Sequence, residues 1–185
     1  MQLEQTFPRQ SGVTMIEVLI AIVILSIGLL GLAGLMSVAS KSELEGYQRI
    51  QALSYMNDMT DRVATNRGVA SCYVSSNYGT GTSLPVCGSG NKEQFDVANS
   101  DIAAWDLLLR GTNEKSGTVA AGGIVGARGC VELISGTTTD YRISVAWQGL
   151  EDVSVPHASL TCGSGTYGSE GRRRVVSTIL RIPLL

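Results

Sequence analysis

The residue most suggestive of chemistry is Glu17, the single charged side chain in an apolar stretch from Val13 to Val38. An ionisable group inside a membrane-spanning segment is costly and commonly functional, so it needs a partner of opposite charge. The segment contains no basic side chain. A free α-amino group would supply the positive charge if the chain were cut between Gly12 and Val13, and the run Gly12–Glu17 offers such a cut.

Four cysteines, Cys72, Cys87, Cys130 and Cys162, form the second group. None are spaced as Cys-x2-Cys and the chain has a single histidine, so we expect no metal site. Disulfides are expected, because a single-pass chain with its soluble part outside the cytoplasm folds in an oxidising compartment. Of the three pairings that four cysteines allow, we favour Cys72 with Cys87 and Cys130 with Cys162, because each bond would close a loop-rich segment. Each would contribute about 3–4 kcal/mol.

Other candidates for catalysis or binding are weak. His157 has no nucleophile in its sequence context, no serine lies in a Gly-x-Ser-x-Gly motif, and there is no phosphate-binding loop. We therefore predict no catalytic residue and no cofactor. The run Arg172–Arg174 could bind DNA, but it lacks interleaved aromatics and precedes a predicted strand, so we interpret it as a solvated strand edge. The net charge of −2 also gives no general attraction to nucleic acid.

A helix must position Glu17. Fifteen of the residues from Val13 to Val38 are Val, Ile or Leu, which supply about −5 to −9 kcal/mol of insertion free energy. An acidic residue costs about 2.5–3.5 kcal/mol at the membrane centre and less near an end. The apolar contribution exceeds the cost of Glu17, so residues 13–40 are predicted to form a transmembrane helix. Gly28, Gly31 and Gly34 lie inside it, which indicates either close helix packing or a segment that loosens.

The helix is predicted to continue into water over residues 41–67. The segment contains no proline, and apolar residues recur at three- and four-residue steps on one face: Ala52, Tyr55, Met56, Met59 and Val63. Arg67 and Gly68 are predicted to end the helix. We interpret the stripe as the surface on which a globular domain docks.

Residues 68–185 are predicted to form a globular domain that is rich in glycine and poor in aromatics. Residues 71–91 are expected to be a loop, and a short helix is expected at Asp101–Leu109 with Ser100 as its N-cap. Strands follow at Arg128–Ile134, Tyr141–Gln148 and Arg174–Ile182. The second alternates, with Tyr141, Ile143, Val145 and Trp147 on one face and Arg142, Ser144, Ala146 and Gln148 on the other. The expected fold class is α+β, with a small antiparallel sheet packed on the second half of the long helix.

The N-terminal segment resembles the processing motif of type IV prepilins. The resemblance rests on Gly12, the hydrophobic Val13, Thr14 after it, and Glu17 as the fifth residue of the mature chain. It implies that residues 1–12 are a leader, that a prepilin peptidase of the inner membrane cuts after Gly12, and that the new amine of Val13 is methylated. It also implies that Glu17 pairs with the amine of a neighbouring subunit, and that the soluble domain lies in the periplasm before assembly into the pilus.

A second resemblance is to the PilV-type minor pilins, also called type IV pilus modification proteins. It is carried by three stretches, Gly129–Glu132, Tyr141–Gly149 and Arg173–Thr178. It implies a low-copy subunit that primes filament assembly with other minor pilins and the major pilin at the inner-membrane assembly platform. It further implies a place at the filament tip, beneath a large adhesin.

Two alternatives stay open. A minor pseudopilin of a type II secretion system shares the N-terminal motif and the α+β plan, and would be encoded among secretion genes. A membrane-anchored periplasmic enzyme or binding domain belongs to a different class, and should have a polar, concave pocket.

Overall fold

The computed structural model describes residues 12–112, 115–116, 119–120 and 123–183. Residues 1–11 of the expected leader therefore lie outside the described residues. The elements follow one another in the order helix α1 (Met15–Thr65), a 3-10 segment (Arg67–Tyr73), β1 (Ser75–Tyr78), α2 (Lys92–Leu109), β2 (Lys115–Ser116), β3 (Val119–Ala120), β4 (Arg128–Leu133), β5 (Asp140–Gln148), a 3-10 turn (Glu170–Arg172) and β6 (Arg173–Arg181).

Four strands form one antiparallel sheet in the order β1-β4-β5-β6, and β2 pairs with β3 separately. The long N-terminal helix and the small antiparallel sheet confirm the predicted α+β class. The three predicted strands are also confirmed, each within one residue at either end. Contacts divide the chain into two compact units, residues 1–43 and residues 44–185.

The core of the second unit lies between the second half of α1, α2 and one face of the sheet. Every residue of the predicted helix stripe, from Ala52 to Val63, is buried, and Gln48 extends it by one turn. Trp105 of α2 is fully buried, donates from Nε1 to the Tyr55 carbonyl (2.9 Å), and packs edge-on against Tyr78. Its ring covers Gly129 of β4, where any Cβ would overlap it. The glycine is therefore what lets α2 approach the sheet.

A polar cluster joins α1, the first 3-10 segment and α2. Arg62 contacts Asp58 (2.9 Å) and Asp101 (2.6 Å), and the Tyr73 hydroxyl donates to Asp101 (2.8 Å). Hydrogen bonds to Asp58 and Asp101 raise the pKa of Arg62, and burial raises the pKa of Tyr73. These groups therefore stay protonated across the physiological range.

The helix expected at Asp101–Leu109 is wrong in its start. α2 begins at Lys92 and is capped by Asn91, whose side chain accepts from Gln94 N–H while the Gln94 side chain accepts from Asn91 N–H. This reciprocal capping box satisfies two free donors at the helix end. Ser100, the expected cap, lies inside the helix.

The loop expected over residues 71–91 is also wrong in part. Its beginning is the end of the first 3-10 segment, and Ser75–Tyr78 forms β1 on the edge of the sheet. Tyr78 is fully buried and donates from its hydroxyl to the Tyr73 carbonyl (2.7 Å). Pairing with β4 and burial of Tyr78 hold a segment whose small polar residues do not favour a strand.

Candidate functional site

The predicted cleavage point lies in an exposed segment just before α1. Gly12 is exposed, and a Cβ built on it would meet nothing within 4 Å. Val13 is 69% exposed, and the helix begins only at Met15. The Gly12–Val13 peptide bond is therefore outside the helical hydrogen-bond ladder and accessible, as a peptidase substrate must be.

Thr14 is the N-cap of α1. Its carbonyl accepts from the N–H groups of Glu17 (3.1 Å) and Val18 (3.3 Å), and its Oγ1 accepts weakly from Glu17 N–H (3.4 Å). Thr14 and Glu17 thus have the spacing of a Thr-x-x-Glu capping pattern, a local signal that is readable from the sequence. Glu17 also lies in the first turn, where the helix dipole favours a negative charge. It therefore has a role in starting the helix in addition to the expected ion pair.

The Glu17 side chain is exposed and lies beside an apolar groove. The groove is lined by Val13, Val18, Ala21, Ile22 and Leu25. Within the part of the chain that the structure describes, the carboxylate has no hydrogen bond or ion pair. An unpaired carboxylate beside apolar side chains is suited to a cation brought by another molecule, because a low dielectric strengthens such a pair.

The first unit exposes its whole apolar surface. Its large apolar side chains from Val13 to Val38 are between 46% and 85% exposed. The helix is long and apolar enough to cross a membrane. Ser26, a polar residue within it, donates to the Ile22 carbonyl (2.7 Å) and so adds no unsatisfied donor. Gly28, Gly31 and Gly34 have open space beside them and do not interrupt the helix.

Two disulfides occur in the second unit, Cys72–Cys87 and Cys130–Cys162. The first lies beside α2, where Asn99 accepts from Cys87 N–H (2.8 Å) and donates to the Cys87 carbonyl (3.3 Å). The second joins β4 to the segment that follows β5.

The Cys130–Cys162 bond builds a second apolar cluster on the other face of the sheet. The cluster contains both cysteines, Ala146 and Tyr167, with Val175 packed against it. Consequently Ser144 and Ala146, on the face of β5 opposite Ile143 and Val145, are also buried. The Tyr167 hydroxyl donates to the Gly126 carbonyl (2.9 Å), and burial raises the pKa of Tyr167 to about 12.

The expectation of a solvated arginine edge holds for Arg172, which is exposed, and is wrong for Arg173 and Arg174. Arg173 is buried, contacts Glu170 (2.6 Å) and donates to the carbonyls of Leu160 and Cys162. Arg172 contacts Asp152 (3.5 Å). The backbone N–H of Gly165 and the Arg173 guanidinium lower the pKa of Glu170. The arginines therefore hold the loop after β5 in place.

Arg174 joins β6 to α1. Its guanidinium contacts Glu45 (3.1 Å) and donates to the Glu151 carbonyl (2.9 Å), while Glu45 also accepts from Leu150 N–H (3.2 Å). The guanidinium lies against Gly149, where a Cβ would displace it. A larger residue at position 149 would therefore have to shift this guanidinium.

The remaining sequence candidate, His157, lies on the surface. Its Nδ1 accepts from Ser159 N–H (3.2 Å) and is 2.9 Å from Ser159 Oγ, which is a local turn. Among the described residues, no group of three or more His, Cys, Asp or Glu side chains could hold a metal ion.

Comparison with known protein families supports the predicted processing site at the N-terminus. Residues 7–33 match the family model described as the prokaryotic N-terminal methylation motif. No curated protein and no solved structure matches this chain. The match supports a type IV pilin-like or pseudopilin-like protein, and it points to a structural role. It implies a substrate of a prepilin peptidase that assembles with other pilins.

Proposed function

We propose that this pilin-like protein is a minor pilin, a low-copy structural subunit that primes type IV pilus assembly and occupies the filament tip. One observation carries the proposal: an accessible Gly12–Val13 bond precedes an exposed apolar helix, and the Glu17 carboxylate in its first turn has no partner among the described residues. Other minor pilins, the major pilin and a tip adhesin are its proposed partners.

Processing is the first step of the proposed sequence. The prepilin peptidase removes residues 1–12 and methylates Val13, which leaves an amine at the start of the mature chain. Residues 13–40 then hold the protein in the inner membrane, with residues 41–67 and the disulfide-bonded domain 68–185 in the periplasm. The disulfides support this orientation, because such bonds persist outside the cytoplasm.

Assembly is the second step. Glu17 meets the Val13 amine of another subunit as the helix leaves the lipid, and each charge removes the penalty of the other. The exposed apolar side chains of α1 then exchange lipid for the helices of neighbouring subunits. Gly28, Gly31 and Gly34 permit either close approach or loosening of the helix during that exchange.

The processing test is the mass of the protein extracted from membranes that contain the peptidase. We expect a chain that begins with N-methylated Val13, and an uncut chain for Gly12→Leu. Gly28→Leu is the matched control, because Gly28 also has open space around it and should leave cleavage intact. An intact Met1 start, or a cut near Ala39, would contradict the proposal.

The assembly test is Glu17→Ala. Insertion and cleavage should persist, because the change removes an insertion penalty and leaves Gly12 in place. Co-purification with partner pilins and the number of surface filaments should fall. Glu43→Ala, an exposed glutamate on the same helix, is the control. Normal complexes and filament numbers with Glu17→Ala would remove the intersubunit role.

A minor pseudopilin of a type II secretion system remains the second candidate, because it shares the motif and the α+β plan. It is separated by its partners: a pseudopilin co-purifies with secretion subunits, and its loss stops protein secretion while filament numbers stay normal.

A further inference from the structure

The outer edge of β6 has free hydrogen-bonding groups. β6 ends the sheet, and its pairing with β5 is regular along all nine residues. The flanking bonds from Ile182 N–H to the Thr139 carbonyl (2.8 Å) and from Gly149 N–H to the Arg172 carbonyl (2.7 Å) show that even-numbered residues bond to β5. Since antiparallel bonding alternates, the backbone groups of odd-numbered residues point outward.

Four consecutive odd-numbered residues are therefore available: Val175, Ser177, Ile179 and Arg181. Their backbone N–H and C=O groups have no partner among the described residues. Between Val175 and Leu180 the strand has no charge, no proline and no bulge, and Ile179 is 60% exposed.

The two edges of the sheet differ. β1, at the opposite edge, has only four residues and an irregular register. Short and irregular edge strands are a common protection against unwanted pairing. β6 lacks that protection, and a long regular edge is the kind of surface that accepts an additional strand.

The direction of β6 limits which strand fits. Glu45, near the start of the second unit, contacts Arg174 at the start of β6. Arg67 and Ser71, just after α1, line one cavity with Ile182 and Pro183 after the end of β6. The second half of α1 and β6 therefore run in the same direction. A second copy that lies alongside in the same orientation has its β6 strand parallel to the first, so the two edges cannot pair antiparallel.

The first strand of a neighbouring subunit can pair with β6, because strand direction alternates across the sheet. Because every neighbouring pair is antiparallel, β1 runs opposite to β6. A similarly oriented subunit with the same sheet plan presents its first strand in the antiparallel sense. The first strand of this chain is too short and irregular to use the whole edge, which disfavours a second copy.

We propose that the β6 edge binds the first strand of a different pilin-like subunit in the same membrane and continues the sheet antiparallel. This inference rests on the proposed function, because it requires assembly with other pilins. Backbone bonds to Val175, Ser177 and Ile179 hold the partner strand. Side chains select it: an apolar residue covers Ile179, and a carboxylate meets the exposed side of Arg181, which also pairs with Asp140 of its own chain (2.8 Å).

The test is photo-crosslinking in intact membranes. The full chain carries benzoylphenylalanine in place of Ser177. It is co-expressed with each of the cell's other proteins that have an N-terminal methylation motif, tagged and tested one at a time. We expect a crosslink to one of these subunits. Ile179→Pro should reduce it about tenfold or more, because proline removes an outward N–H and blocks strand addition.

Ile179→Ala is the matched control, since it retains the N–H and should retain the crosslink. The fold should survive Ile179→Pro, because that N–H does not bond to β5, and near-ultraviolet circular dichroism checks this. Ile179→Lys gives a second disruption that leaves the backbone unchanged, and it should also lose the crosslink.

A crosslink only to a second copy overturns the inference, as does no crosslink, or one that Ile179→Pro and Ile179→Lys leave unchanged. If Ile179→Pro co-purifies normally with partner pilins, the inference fails while the proposed function stands. If the unaltered protein is not cleaved after Gly12, the proposed function itself fails.

Discussion

The two halves of α1 belong to one helix but differ in how much of their apolar surface is exposed. From Val13 to Val38 the large apolar side chains are exposed all around the helix, whereas from Gln48 to Val63 a single stripe is buried. The second half obtains its partners from its own chain, through Trp105 and the sheet. The first half has an apolar surface that is stable only in lipid or against other molecules. Stability of the folded unit and assembly should therefore respond to different mutations.

The largest expected effect is Trp105→Ala. It removes a fully buried ring, its bond to the Tyr55 carbonyl and its contact with Gly129, and should lower the free energy of unfolding by about 3–5 kcal/mol. Leu25→Ala, in the exposed half, should leave it unchanged. Urea unfolding of the full chain in detergent measures both. Similar losses for the two variants would show that the exposed half of α1 also contributes to the stability of the folded unit.

The next effect is loss of the Cys130–Cys162 bond in the double variant Cys130→Ser and Cys162→Ser. The free energy of unfolding should fall by about 2–4 kcal/mol, because the bond closes a long loop. Extraction of the protein with the membrane fraction should not change. Non-reducing peptide mapping of the unaltered protein should recover Cys72 with Cys87 and Cys130 with Cys162. Crossed pairs would contradict the structure.

A smaller effect, dependent on pH, is expected for Glu170→Gln. The pKa of Glu170 is lowered in the folded state, so its ionised form stabilises the fold at any pH above the ordinary pKa of a glutamate. That stabilisation is lost as the pH falls through the lower pKa of the folded state. The Tm of the variant should therefore lie below that of the unaltered protein at neutral pH, and the difference should close in acid. A difference that is constant with pH would show that the charge is not responsible.

The smallest effect is expected for Thr14→Ala. Loss of an N-cap costs about 1 kcal/mol of local helix stability, so amide exchange should speed up in the first turn of α1. Urea unfolding of the unit 44–185, measured in the full chain, should be unaffected. A change in that unfolding would show that the two halves are energetically linked.

Much of the fold could be predicted because local patterns agree with tertiary packing. The stripe from Ala52 to Val63 has the helical period, and β5 alternates, so both were found with accurate bounds. The cap of α2 was missed because Ser100 resembles a cap, while the true signal was the reciprocal pair Asn91 and Gln94.

Features that depend on distant residues could not be predicted. β1 exists because β4 pairs with it, and the second face of β5 is buried because Cys162 brings a loop onto it. Arg174 looked solvated because its partner Glu45 is 129 residues away. At the candidate site, Gly12, Val13 and Glu17 could be identified because their meaning lies in local order and spacing. The capping role of Thr14 was equally local and was overlooked.

The contact between Glu45 and Arg174 also implies a delay during synthesis of the chain. Synthesis at about 5–20 residues per second separates the two residues, which are 129 positions apart, by roughly 6 to 26 seconds. For most of that interval, from the synthesis of Val63 onward, the buried stripe of α1 has been made but β6 has not. The nascent chain must therefore keep a methionine-rich helix face away from other apolar surfaces until its last strand arrives.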